Sequence, residues 1–348
     1  MLKSIYLQNF RSYKKQNFSF ENTTLIVGPN TSGKTNLLEA VNLLSTGKSF
    51  RTDKDIQMLK FNEEFGRVRG EAEDLELEVL ITNGLVNGKS QFKKFLVNKI
   101  PKRRVDFIGN LLSVIFSPQD LDIIIDSPSL RRNFLDEVLE QVDRDYRIAS
   151  IAYVKSLRQR NALLEVARET GSRNEKQFEY WDNLVIENGQ TITQKRQGFI
   201  DFANSCVKDI FDFVINYDKS EISKERLLQY KSEELASGVT LVGPHRDDFS
   251  ISMISGSKYL HDVKFYGSRG QQRLAILQLK TLESEFIEEK LSQKPMLILD
   301  DIFSELDEGH INLILSQIGK QQIIVSTTHK EFVPKKYLKT MKIISFDK

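Results

Sequence analysis

The segment Gly28-Pro29-Asn30-Thr31-Ser32-Gly33-Lys34-Thr35 constrains this chain more than any other. It reads G-x-x-x-x-G-K-T and follows the apolar run Leu25-Ile26-Val27. Leu37, Leu38, Ala40, Val41 and Leu44 then recur at helical spacing. A strand, a glycine-punctuated loop and a helix N-terminus in that order predict a P-loop. Gly28 and Gly33 leave backbone amides free to curl around a phosphate, and the helix start adds partial positive charge. Lys34 is expected to reach the β- and γ-phosphates, and the Thr35 hydroxyl to ligate Mg²⁺. Asn36, next in line, completes the predicted phosphate-binding stretch.

A chain of 348 residues has room for one large α/β domain or two lobes, and 40% hydrophobic residues support a real core. The net charge of +2 does not mark the whole molecule as a nucleic-acid binder, so any DNA contact must come from local patches. Cys206 is the only cysteine, which rules out an intrachain disulfide; its helical spacing with Phe202 and Ile210 predicts a core thiol. The opening Met-Leu-Lys-Ser-Ile-Tyr has no apolar signal core, and no apolar run approaches the ~20 residues a membrane span needs. The expectation is a cytoplasmic protein with no membrane partner.

Periodicity then divides the chain. The first 28 residues read as strands, Ile5, Leu7 and Asn9 alternating with Tyr6, Gln8 and Phe10. Residues 65–97 read as an antiparallel meander: Leu75, Leu77, Val79 and Ile81 share a face, and Asn83-Gly84 and Asn87-Gly88 read as turns. Leu111 to Phe116 reads as a further strand. From Pro128 the period becomes helical, with Leu135, Leu139, Val142, Tyr146, Tyr153 and Leu157 on one stripe. After Thr170-Gly171-Ser172 a second helix carries Trp181, Val185, Ile192, Phe199, Ala203, Cys206 and Ile210, which predicts a helical hairpin. Strand character returns near Thr240. The simplest arrangement is a discontinuous core lobe, residues 1–116 and 236–348, split by a helical lobe, residues 117–235.

The second half carries the partners a P-loop requires. Met296-Leu297-Ile298-Leu299-Asp300-Asp301 is an apolar strand ending in two carboxylates, the Walker B pattern. Asp300 would hold Mg²⁺ through hard oxygen, and Asp301 would polarise the attacking water. Ser268-Arg269-Gly270-Gln271 opens a long amphipathic helix, with Ser268 a good N-cap and a hydroxyl donor to phosphate. Ser304-Glu305-Leu306-Asp307 follows the Walker B strand, and His329 stands just past the next strand, where it would touch a γ-phosphate. Gln119 and Arg11 stand just past strands, where a resemblance to ABC-type ATPase heads implies a glutamine loop near Mg²⁺ and an arginine that approaches the nucleotide. Arg11 and Tyr13 read equally as residues at the edge of the core.

In this order the motifs resemble the head domains of SMC-like, ABC-type ATPases, and more closely the RecF family of bacterial DNA replication and repair proteins. The matching stretches are Asn9-Phe10-Arg11-Ser12-Tyr13, the P-loop, Phe116-Ser117-Pro118-Gln119-Asp120-Leu121 and Arg131-Arg132 through Phe134-Leu135-Asp136. They continue with Gly243-Pro244-His245-Arg246-Asp247-Asp248, Ser268-Arg269-Gly270-Gln271-Gln272-Arg273 and Leu299-Asp300-Asp301 with Ser304-Glu305-Leu306-Asp307. The resemblance implies an α/β fold: an ABC-type ATPase head with a P-loop core, an antiparallel β meander and an inserted helical lobe. It implies ATP and Mg²⁺ as cofactors, Lys34, Asp301 and His329 as catalytic residues, and Thr35, Asp300 and Gln119 around the metal. Ser268, Arg269, Gly270, Gln271 and Asp307 would contact ATP held by a second copy, in an ATP-dependent homodimer. The implied activity is a weak, DNA-stimulated, switch-like ATPase, nucleoid-associated, acting at single-strand gaps and double-strand/single-strand junctions. RecR, RecO and RecA are its implied functional partners, and gapped, single-stranded and duplex DNA its ligands. Position 119 is Gln where many relatives carry an acidic residue, and Asp301 stands where transporter relatives use Glu. The alternative is an ABC-type ATPase subunit of another DNA-repair or transport complex.

The candidate DNA contacts are Lys93-Lys94, Lys99, Lys102-Arg103-Arg104 and Arg158 with Arg160, with Phe92 and Phe95 beside lysines.

Overall fold

The computed structural model describes residues 1–86, 89–255, 259–304, 308–315 and 318–346. Along the chain the strands are β1 (Leu2–Phe10), β2 (Tyr13–Ser19), β3 (Thr23–Val27), β4 (Phe65–Ala72), β5 (Leu75–Val86), β6 (Lys89–Val97), β7 (Ile100–Lys102) and β8 (Ser113–Phe116). They continue as β9 (Phe213–Asp218), β10 (Asp248–Ser255), β11 (Tyr259–Asp262), β12 (Met296–Asp300), β13 (Ile323–Thr327) and β14 (Lys342–Ser345). The helices that matter here are α1 (Lys34–Thr46), α2 (Pro128–Val142), α3 (Arg144–Thr170), α4 (Glu175–Ser205) and α5 (Arg269–Leu291). The chain forms two compact units, Met1–Asp120 with Glu283–Lys348, and Leu121–Leu282.

The first unit holds two sheets. Strands β14-β3-β13-β12-β8 form a parallel sheet, and β2-β1-β4-β5-β6-β7 an antiparallel one. Strands β8, β12 and β13 are buried at every position, which is why they read as unbroken apolar runs rather than alternations. Helix α1 is buried almost all round, beyond the single stripe its sequence suggests, and Leu37, Leu38, Val41 and Leu44 are wholly enclosed. They join Leu2, Ile5, Leu7, Val68, Val79 and Ile81 from the antiparallel sheet in one core. Burying a leucine or isoleucine fully is worth roughly 2 kcal/mol.

Two sequence expectations change here. Asn9 has a left-handed φ of 48°, so the alternation of β1 breaks and Phe10 turns inward to full burial. Asn83-Gly84 is not a turn: both residues lie within β5, where the pairing with β6 shifts register between Ile81 and Gly84. Gly84 supplies a bulge rather than a reversal. The reversal between β4 and β5 falls at Glu73, with φ of 52°. Asn87-Gly88 lies outside the described residues.

In the second unit the helical stripe beginning at Pro128 is broken at Asp143. Its carboxylate accepts the Asp145 and Tyr146 amides at 2.8 and 3.0 Å, capping a new helix instead of continuing the old one. Helices α3 and α4 form the expected hairpin; Gly171 ends α3 in the left-handed conformation, and Asn174 caps α4. Helix α4 stops at Ser205, so Cys206 is a half-buried C-cap and the helical spacing does not reach Ile210. Strand β9 follows at once, well before Thr240, and pairs with β10 across position 236, where the sequence pattern suggested a lobe boundary.

Candidate nucleotide site and nucleic-acid face

Strand β3 delivers the loop. Its last residue, Val27, pairs with Thr327 of β13 and Ser345 of β14, and the Gly28 N–H donates to the Thr327 carbonyl at 3.3 Å. The chain then turns through Thr31, at φ 71°, and Gly33, at φ 108° and ψ 0°. Only glycine adopts the latter cheaply. Gly33 is the N-cap of α1 and no side chain caps the helix, so its first-turn amides are available to an anion. Lys34 folds back so that Nζ donates to the carbonyls of Gly28 at 2.7 Å and Pro29 at 3.0 Å. The Ser32 hydroxyl is buried in the loop with no hydrogen-bond partner. An orphaned hydroxyl, uncapped amides and an enclosed ammonium are the donor set a polyphosphate fits.

The carboxylates arrive from the neighbouring parallel strands. Strand β12 pairs with β13, placing Asp300 opposite Ser326. Asp300 is buried; its Oδ1 accepts the Ser326 hydroxyl at 2.6 Å and the Thr35 hydroxyl at 3.2 Å. The chain turns sharply after it, Asp301 having φ of 49°, and the Asp301 N–H donates to Ser326 Oγ at 3.1 Å. Burial lowers the Lys34 ammonium pKa, while the charges of Asp301 and Asp300 work against that shift. Thr35 Oγ1 and Asp300 Oδ1, two hard oxygens side by side at the phosphate end of the loop, suit a small divalent cation.

The remaining sequence candidates fall as follows. Gln119 is exposed, just past β8, whose Phe116 pairs with Leu299 of β12; it therefore stands at the same sheet end as Asp300. His329 follows β13, and its backbone N–H and carbonyl both bond the Thr327 side chain. Arg11 is engaged by the protein: Nε and Nη2 donate to the buried Glu39 carboxylate at 2.8 and 2.5 Å, and Nη1 to the Gln57 carbonyl at 2.6 Å. Asn36 donates to Ser12 Oγ at 3.0 Å and accepts from Arg51 at 2.8 Å. Glu305, Leu306 and Asp307 lie outside the described residues. In the second unit Ser268 caps α5 reciprocally, its amide donating to Gln271 Oε1 at 2.9 Å and its hydroxyl accepting the Gln271 amide at 3.3 Å. Ser268, Arg269 and Gly270 remain exposed.

The RecF/RecN/SMC N terminal domain family matches residues 1–347 of this chain. The DNA replication and repair protein RecF of Caldanaerobacter subterraneus subsp. tengcongensis is 36% identical over 353 residues, covering 95% of each chain. This chain belongs to the RecF family. A solved structure of the recombination mediator protein RecF with ATP, in the RecFOR pathway, superposes with a TM-score of 0.84 at 35% identity, covering 96% of this chain and 93% of that one. The Smc head domain from Pyrococcus furiosus shares the fold alone, at 16% identity and a TM-score of 0.51 over 95% of this chain and 90% of that one. RecF is thus an ABC-type ATPase family, and its head architecture is the one described above.

The Gly-Pro-His-Arg-Asp-Asp stretch singled out for RecF is a structural keystone of the second unit. Asp247 is fully buried and accepts from Arg196 at 3.1 Å, from the Ser220 amide at 2.7 Å and from the Tyr217 hydroxyl. Asp248 holds Arg131 through two bonds of 2.6 and 3.0 Å. His245 bridges Tyr153, at 2.7 Å, and the Thr240 carbonyl, at 3.1 Å. Gly243, at φ 124°, makes the turn that brings these groups together. Burial drives the His245 imidazole pKa down to about 4.

Several basic candidates leave the surface. Arg160 is wholly enclosed, bonded to Asp182 at 2.6 Å, Glu234 at 2.7 Å and Thr240 at 2.8 Å. Its helical position looked solvent-facing because contacts from distant sequence, at Glu234 and Thr240, are invisible to periodicity. Lys93 is tied to Asp55 at 2.7 Å and to the Gly47 carbonyl at 2.9 Å, Arg104 bonds the Thr46 carbonyl, and Phe95 is core. Lys94, Lys99, Lys102 and Arg103 are exposed. The side chain of Phe92 is outside the described set. The sequence reading missed a better patch. On the outer face of the antiparallel sheet Lys15, Gln8, Arg67, Leu80 and Lys94 form one row across β2-β1-β4-β5-β6. Beside it Arg69 stacks over the Tyr6 ring at 5.3 Å. With strands ~4.8 Å apart the row runs about 19 Å, enough for several phosphates of one strand.

Proposed function

We propose that this RecF-family protein is a DNA-binding ATPase of recombinational repair, whose ATP joins two copies of the chain. The observation that carries the reading is Thr35 and Asp300 meeting at 3.2 Å beside an uncapped P-loop helix and the enclosed Lys34. Gly28 to Asn36 would bind the triphosphate, and Thr35 and Asp300, with Gln119 at the same sheet end, would hold Mg²⁺. When bound, Mg²⁺ neutralises charge on the β- and γ-phosphates. Asp301 would orient and deprotonate water, with His329 facing the γ-phosphate.

Ser268, Arg269 and Gly270 stand exposed at the start of α5, and in this reading they close the nucleotide site of the other copy, with Gln271 and Asp307. ATP then favours the dimer only through contacts ADP lacks, and hydrolysis weakens it. DNA would lie along the Lys15–Lys94 row, where phosphates meet Lys15, Lys94 and Arg69, while Arg67 is paired with Glu78 at 2.6 Å. The functional context is gapped DNA and double-strand/single-strand junctions in the bacterial cytoplasm, with RecR and RecO assisting RecA loading.

Light scattering of the eluting protein tests the switch. The expected masses are a dimer with ATP and a monomer with ADP, and Ser268→Arg should bind ATP yet stay monomeric. Identical elution with both nucleotides would reject it. Turnover measured without DNA and with single-stranded, duplex and gapped DNA tests the DNA assignment; rates indifferent to all three would reject that part.

A further inference from the structure

We propose that Tyr13 is a positioning residue of the nucleotide site: its hydroxyl fixes the peptide plane that opens the P-loop helix and so aims the Lys34 amide at phosphate. The inference rests on the nucleotide reading above and deepens it.

The Gly33 carbonyl accepts two hydrogen bonds, from the Tyr13 hydroxyl at 2.9 Å and from the Leu37 amide at 3.0 Å. That carbonyl and the Lys34 N–H belong to one planar peptide and point in opposite directions. Anchoring the oxygen therefore fixes where the N–H points. The Lys34 amide is one of the helix-start donors that no intrahelical acceptor satisfies. Gly33, with no Cβ and a φ of 108°, has little intrinsic preference to hold this plane, so the tyrosine anchor adds to the single helix bond from Leu37.

Tyr13 is itself packed among aromatic rings. Its ring meets Phe18 edge-on at a centroid distance of 5.5 Å and Phe346 at 6.4 Å, and Phe18 and Phe346 stack at 5.6 Å. The Phe346 N–H donates to the Val27 carbonyl at 2.7 Å, tying the aromatic trio to the strand that feeds the loop. A Cβ built on Gly33 would fall 2.9 Å from the Tyr13 oxygen and 3.3 Å from Ser12 Oγ. The space behind the loop is therefore filled by residues 12 and 13. Ser12 adds a second tie to α1 by accepting from Asn36 at 3.0 Å. A tyrosine present only for packing would need its ring; this one directs its hydroxyl to a loop carbonyl.

Tyr13→Phe keeps the trio and removes the hydroxyl. Calorimetric titration of the full chain should show affinity for ATP and for ADP each weakened about fivefold, because the amide serves a phosphate both nucleotides carry. Turnover at saturating ATP should stay within about twofold, so the defect appears in KM and not in kcat. Ser12→Ala should weaken both affinities less. A Tyr13→Phe protein that binds both nucleotides as the native does would overturn the proposal and leave the nucleotide reading intact. Native protein that binds neither nucleotide would overturn both.

Discussion

Ser326 Oγ lies 2.6 Å from Asp300 Oδ1 and also receives the Asp301 N–H at 3.1 Å, so one hydroxyl holds the Asp300 carboxylate and the Asp301 backbone. The pairing follows from the parallel register of β12 and β13, which sets Asp300 opposite Ser326. Removing the hydroxyl in Ser326→Ala should free the Asp300 carboxylate to rotate away from Thr35. Supporting bonds of this kind behind a metal ligand are worth about ten- to a hundredfold in metal affinity or activity. A Mg²⁺ titration of ATP turnover should shift to higher concentration in the variant. An unchanged Mg²⁺ midpoint would show that Asp300 needs no such support.

Arg160 and Arg158 stand two residues apart on α3 and should behave oppositely. Arg160→Met leaves Glu234, itself fully buried, without its cation, and loss of one partner from a buried pair costs about 3–5 kcal/mol. Urea unfolding should show that loss, and Arg160→Met with Glu234→Leu should recover part of it. Arg158→Gln, at an exposed site, should change the unfolding free energy by less than about 0.5 kcal/mol.

The acid limb of stability should report His245. Its folded pKa is about 4 against an ordinary 6.5, burial being the main cause, with Arg246 and Arg132 also disfavouring the cation while the Thr240 carbonyl and Asp247 favour it. The unfolded chain therefore binds the proton more readily between those values, and stability falls as pH drops from 6.5 towards 4. The full difference is about 3 kcal/mol. His245→Gln should flatten that limb in denaturant titrations at pH 7, 6, 5 and 4, and should leave the region above pH 7 without a new slope.

Neutralising Lys15, Arg69 and Lys94 together should lower the slope of log affinity against log salt for duplex DNA by roughly 3, at about 0.9 per lost phosphate contact. Fluorescence anisotropy across a salt series measures the slope, and an unchanged value would remove this row from the DNA footprint.

What the chain order alone determined was chemistry carried by contiguous residues. The P-loop, the Asp300-Asp301 strand end and the Ser268 cap are each local, because a glycine pair, an apolar run or a capping hydroxyl acts within a few residues of itself. The individual strands β3, β8, β12 and β13 were legible for the same reason, since strands buried on both faces are apolar throughout, but their parallel pairing was not. Register and burial were not legible. Whether Ser326 faces Asp300, whether Tyr13 reaches Gly33, and whether Lys15, Arg67 and Lys94 share a row all depend on pairing between segments tens of residues apart. Arg160 and Lys93 show the converse: a cation reads as surface until a distant Glu234 or Asp55 encloses it. Local sequence specifies which groups are present, and only the packed chain decides which of them meet.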